Sequence, residues 1–123
     1  MRVFKTKHFS KWAKKNLVED EILALAAQEI SENLFDANLG GCVIKKRIAT
    51  KGRGKRKSIR TIIAFKKSKH CFFMYGFEKS EQSNITVDEE KSFKLVAKEL
   101  LNLSDVILNK YVKAKKLLEI NNE

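Results

Sequence analysis

Apolar residues in this chain recur with two different periods. In the first third the spacing is helical. Phe9, Trp12, Ala13 and Leu17 share one stripe, predicting a helix from about His8 to Asn16. Ile22, Leu23, Ala26, Ala27, Ile30 and Leu34 share another, predicting a longer helix over Asp20 to Asn33. Its first turn is acidic (Glu19, Asp20, Glu21), as the helix dipole favours. Before these helices, Met1 to Thr6 alternates weakly and is read as a short strand. After them, Asn38-Leu39-Gly40-Gly41 interrupts the pattern.

From Cys42 the period falls to two. Cys42 to Thr50, Ser58 to Phe65 and Cys71 to Phe77 are rich in Ile, Val, Phe and Thr and predict three strands. The connections, Lys51 to Lys57 and Lys66 to His70, suit hairpins, so the strands should form an antiparallel sheet. Further on, Thr86-Val87-Asp88-Glu89 carries a capping-box pattern ahead of Phe93, Val96, Ala97, Leu100 and Leu101 at helical spacing. Ser104-Asp105 is read as the cap of a last helix with Ile107, Tyr111, Ala114 and Leu118 as its stripe. The predicted order is β-α-α-β-β-β-α-α. That is an α+β fold, a small antiparallel sheet with helices packed on one face. With 123 residues, no proline and no linker, the chain is read as one domain.

Charge changes this picture. The net charge is +11, from 26 Lys and Arg against 15 Asp and Glu. Residues 41–80 hold 13 of those basic residues and one acid, Glu78, while the rest of the chain is close to neutral. Clustering of this kind is what a surface for a polyanion requires and what mere solubility does not. No apolar stretch is long enough to span a bilayer, and Met1-Arg2-Val3-Phe4-Lys5 lacks the apolar run of a secretory signal. No membrane partner and a reducing cytoplasmic setting are therefore expected, with Cys42 and Cys71 as buried thiols rather than a disulfide.

The chemistry available is narrow. Cys-x-x-Cys and His-x-His spacings are absent, and Gly52-Arg53-Gly54-Lys55 is too short and wrongly placed for a P-loop. His8 and His70 have no carboxylate nearby in sequence. Basic residues remain. Lys45 and Arg47 share strand parity with Val43 and Ala49, so they should stand side by side on the open face, while Cys42, Ile44, Lys46 and Ile48 face the helices. Arg60 lies inside an otherwise apolar strand, where a permanent charge needs water or an anion. Lys46, Lys51, Arg53, Lys55, Arg56 and Lys57 are candidate contacts to a nucleic-acid backbone. Among the aromatics of Phe72-Phe73-Met74-Tyr75-Gly76-Phe77, mostly core, Tyr75 is the candidate for stacking or proton transfer.

Taken together, Leu39-Gly40-Gly41-Cys42-Val43-Ile44-Lys45-Lys46-Arg47-Ile48-Ala49, Lys51-Gly52-Arg53-Gly54-Lys55, Arg60-Thr61-Ile62-Ile63-Ala64-Phe65 and Phe72-Phe73-Met74-Tyr75-Gly76-Phe77-Glu78-Lys79-Ser80-Glu81 resemble the RelE/HigB-like toxins of bacterial type II toxin–antitoxin systems. The resemblance covers about residues 1–103, with 104–123 as a helical extension of the same domain. It implies an endoribonuclease that cuts messenger RNA in the ribosomal A site, beside the 16S ribosomal RNA, with no metal or other cofactor. It further implies a cognate antitoxin, typically of helix-turn-helix type. Family catalytic positions match Lys45, Arg47, Arg60, Tyr75, Lys79 and Glu81. Many members carry an arginine where this chain has Ser80, and others a C-terminal tyrosine where it has Asn84 and Ile85. A non-catalytic RNA- or ribosome-binding module and a ParE-like gyrase inhibitor on the same fold are the alternative readings.

Overall fold

The structure, a computed structural model, describes residues 1–52 and 55–121, and for 51, 52 and 55–57 the backbone alone. Ten elements follow one another: β1 (Val3–Thr6), α1 (Lys7–Lys15), α2 (Asp20–Ser31), β2 (Ala37–Gly40), β3 (Val43–Gly52), β4 (Lys55–Phe65), β5 (Cys71–Glu78), α3 (Val87–Leu101), α4 (Asp105–Lys113) and β6 (Leu117–Ile120). The strands form one sheet in the order β2-β3-β4-β5-β1-β6. Every neighbouring pair is antiparallel except β1 with β5. The α+β class and the mostly antiparallel sheet are as the sequence predicts.

The helix caps form where the sequence places them. Thr86 and Glu89 make the reciprocal capping box of α3, and the Ser104 hydroxyl accepts from the Ile107 amide to start α4. Thr6 caps α1 in the same way, accepting from the Phe9 amide at 3.1 Å.

Three expectations are corrected. First, the helices cover both faces of the sheet. Phe9, Ala13, Leu23, Ala26, Ala27 and Ile30 of α1 and α2 pack on Ile44, Ile48, Ile59, Ile63 and Phe73. On the opposite face Ala97, Leu101 and Leu108 of α3 and α4 pack on Val43, Ile62, Ala64, Phe72 and Phe77. A strand such as β5, apolar at nearly every position, needs cover on both sides. Second, the terminal helix stops at Lys113. Lys115 takes a left-handed φ of 59°, and Leu117–Ile120 returns as β6 to pair with β1. Third, Asn38-Leu39-Gly40 is the end of an edge strand, not a break. Gly41 and Cys42 form its two-residue turn with φ of 59° and 63°, which leaves the Cys42 thiol exposed. Cys71 is fully buried and its thiol is pushed up to about 12 by desolvation.

One irregularity positions the site. Ile62 pairs with Tyr75 but Ile63 pairs with Phe73, so Met74 is the extra residue of a β-bulge. The bulge turns both Met74 and Tyr75 toward the α3/α4 face. Strict alternation from Phe73 would have sent Tyr75 to the other side. Just beyond, Gly76 lets α1 approach: a Cβ there would lie 2.3 Å from the Trp12 ring.

Candidate nucleic-acid interface

The α3/α4 face is covered only in part. Toward the far ends of β3 and β4 the cover ends, and the parity that buries Val43 presents Lys45 and Arg47 to solvent. Cross-strand registers are Lys45–Ile62–Tyr75 in one row and Arg47–Arg60–Phe77 in the next. Lys45, Arg47 and Arg60 therefore share a face, and with Asp36 and Ala37 they line an open cleft of about 370 Å³.

The Arg47–Arg60 pairing is informative. Directly opposed residues in an antiparallel pair lie about 4.5–5.5 Å apart at Cα, and like charges in that position destabilise a sheet. Among the described residues one acid mitigates it. Asp36 accepts a hydrogen bond from the Arg47 amide and lies 3.6 Å from Arg47 Nε. Among the described residues, the Arg60 guanidinium, half-buried, has no hydrogen bond or ion pair. Three cations against one carboxylate leave donors free for the oxygens of an anion.

A polar strip joins this cleft to Tyr75. Lys45 Nζ lies 3.5 Å from Asn84 Oδ1; Gln82 Nε2 donates to the Asn84 carbonyl at 2.9 Å and to Glu89 Oε1 at 3.1 Å. The Tyr75 hydroxyl donates to Gln82 Oε1 at 2.9 Å. Burial first, then the carboxylates of Glu89 and Glu81, push the Tyr75 phenol above its ordinary range. A cationic neighbourhood that lowers it is therefore not what the fold supplies, and the phenol is held in its protonated form.

The remaining sequence candidates divide. Lys79 and Glu81 sit exposed on the turn after β5; among the described residues neither side chain has a hydrogen bond or ion pair to Lys45, Arg47 or Arg60, and the Glu81 charge is felt at Tyr75. Lys46 is a correction. It is 7% exposed, turned under α2, where Nζ donates to the Leu34 carbonyl at 2.6 Å and lies 3.5 Å from Glu29. Its parity points it into the α1/α2 face, so it ties α2 to β3 and is closed to RNA. The side chains of Lys51, Lys55, Arg56 and Lys57, and Arg53 entirely, lie outside the described residues.

Four residues of this region were not legible as site residues: His8, Asp36, Gln82 and Asn84. They come from the start of α1, the approach to β2 and the loop after β5, and only the tertiary fold brings them together. His70 likewise finds a carboxylate distant in sequence, with Nε2 3.4 Å from Asp105.

The family described as the RelE toxin of the RelE / RelB toxin-antitoxin system matches residues 1–120. The chain belongs to the RelE toxin family. Its match runs through β6, so the final strand lies inside the RelE-like region. No curated protein matches the sequence. As a RelE toxin it is the toxin component of a toxin–antitoxin system, and a cognate antitoxin is its implied partner. Among the described residues no helix is long and apolar enough to cross a membrane.

Proposed function

We propose that this RelE toxin is a cytoplasmic, metal-independent endoribonuclease that cleaves messenger RNA on the ribosome and so stops translation. The observation that carries the reading is the opposed Arg47–Arg60 pair beside Lys45, a destabilising arrangement unless an anion occupies the cleft. Lys45 and Arg47 bracket the phosphates. Arg60 forks onto the oxygens of the phosphate under attack and stabilises the charge that grows there. The ribose 2′-oxygen forms a bond to phosphorus as the bond from phosphorus to the 5′-oxygen breaks. The products are a 2′,3′-cyclic phosphate and a 5′-hydroxyl: the proton of the attacking 2′-hydroxyl passes to water, and the leaving 5′-oxygen takes one from an acid that water later restores. Tyr75, with its phenol held protonated, is the group suited to donate toward that leaving oxygen.

The antitoxin, which we assign to the helix-turn-helix type, blocks the enzyme by covering this cleft. A toxin–antitoxin complex with Lys45 and Arg60 still exposed contradicts that mode of inhibition. The ribonuclease reading itself is tested by inducing the chain without antitoxin. Growth arrest with cleaved transcripts is expected, relieved by Arg60→Ala and weakened by Tyr75→Phe at equal levels of folded protein. Salt-sensitive RNA binding with intact transcripts would instead assign the cleft to a binding module.

A further inference from the structure

Tyr75 is the member of the site that a base would be expected to stack on, yet its ring is already engaged. Phe93 of α3 lies 5.3 Å away and Phe77 5.9 Å away, both tilted, and His8 lies parallel to it at 5.8 Å with an interplanar angle of 7°. Phe93 and Tyr75 are partly buried and His8 is exposed. The three rings thus form a chain of contacts from the partly buried Phe93 through Tyr75 to the exposed His8 imidazole. Among the described residues the His8 side chain has no hydrogen bond or ion pair, so its orientation rests on the ring contact. The bulge at Met74 is what brings Tyr75 to this position.

We propose that His8 is a nucleobase-binding platform: an unpaired base of the RNA stacks on its outer face while the neighbouring phosphates occupy the Lys45–Arg47–Arg60 cleft. Tyr75 and Lys45 are two strands apart in one cross-strand row, about 10 Å, so the platform and the cleft address the same short stretch of RNA. Every base has a π-face, so a ring platform of this kind takes single strands and rejects a paired helix, whose bases are already stacked. His8 acts here through its shape, as a positioning residue.

The inference rests on the ribonuclease reading, and its test is chosen to be independent of cleavage. The probe is a single-stranded 2′-O-methyl oligoribonucleotide, which lacks the attacking hydroxyl, and the readout is equilibrium affinity by fluorescence polarisation. His8→Ala should weaken binding about tenfold or more. His8→Phe, which keeps a ring and loses the imidazole, should bind as the wild type does. An abasic scan of the probe should show one position whose base matters to the wild type and not to His8→Ala. His8 is exposed, and circular dichroism checks that both variants are folded. His8→Ala binding with wild-type affinity would overturn the platform. So would His8→Phe binding as weakly as His8→Ala, because the imidazole and not the stack would then be needed. Cleavage of ordinary RNA is scored separately: binding as described without any cleavage would keep the platform and remove the nuclease.

Discussion

A single arginine at one edge of the sheet and an arginine pair toward the other are built on opposite principles. At the β1–β6 edge, Arg2 donates from Nε and Nη2 to both oxygens of Glu119, at 2.9 Å each. It also donates to Asn109 at 2.9 Å, reaches Asp105 at 4.0 Å, and rests over the Phe4 ring at 5.0 Å. Its charge is matched and its donors are used. In the β3–β4 cleft, Arg47 and Arg60 face one another, and among the described residues Asp36 alone offsets them and Arg60 has no partner. The same side chain serves the fold where it is paired and is available to a ligand where it is not. Within β3 itself the contrast is sharper still. Lys45 opens to the cleft and Lys46, one residue on, is sealed beneath α2.

The comparison breaks if function and stability do not separate along these lines. The largest effect expected is Arg60→Ala. Removing a charge-stabilising donor from the reacting phosphate should lower the cleavage rate about 10²–10³-fold. The melting temperature should hold or rise slightly, since a like-charge pair is relieved. A fall in stability with unchanged cleavage would place Arg60 with Arg2. Next is Lys46→Ala, which leaves the Leu34 carbonyl without its buried donor. A loss of about 1–3 kcal/mol in denaturant unfolding is expected, with RNA affinity per folded molecule unchanged. A drop in affinity with no loss of stability would return Lys46 to the RNA-binding set.

Smallest is the Arg2–Glu119 pair, about 1 kcal/mol for a partly exposed bidentate bond. Its pH dependence has a definite sign. The hydrogen bond from Arg2 holds the Glu119 carboxyl below its ordinary range. Glu119 therefore stabilises the fold above the unfolded carboxylate pKa, and that contribution disappears as pH falls through the folded value. Glu119→Gln should be less stable than the wild type at neutral pH, the gap closing in acid, with cleavage intact. A gap that widens in acid would contradict the assignment.

Much of the architecture was legible because β3, β4 and β5 are short runs rich in Ile, Val, Phe and Thr bounded by turn residues, and the caps at Thr86 and Ser104 have a local cause. What escaped was tertiary. The stripe Ile107–Tyr111–Ala114–Leu118 continues a helix in sequence, but β1 offers an open edge, and Leu117 and Ile120 are buried against opposite faces of the sheet by pairing with it. The second helical layer was foreshadowed by adjacent Phe72 and Phe73, which no one-sided sheet can bury together. Within the site, parity alone placed Lys45 and Arg47 on one face, and that Arg60 shares it follows from the β3–β4 register. Parity could not place Tyr75, whose orientation depends on a bulge that leaves no mark in composition, nor His8 and Asp36, which arrive from other elements.

The most direct test of the central claim, that the cationic cleft cleaves RNA, is to map the ends left on messenger RNA by the purified toxin on programmed ribosomes. The account predicts new fragments bearing 2′,3′-cyclic phosphate and 5′-hydroxyl ends, formed without added metal and all but lost in Arg60→Ala. Messenger RNA that stays intact, or fragments produced equally well by Arg60→Ala, would contradict it.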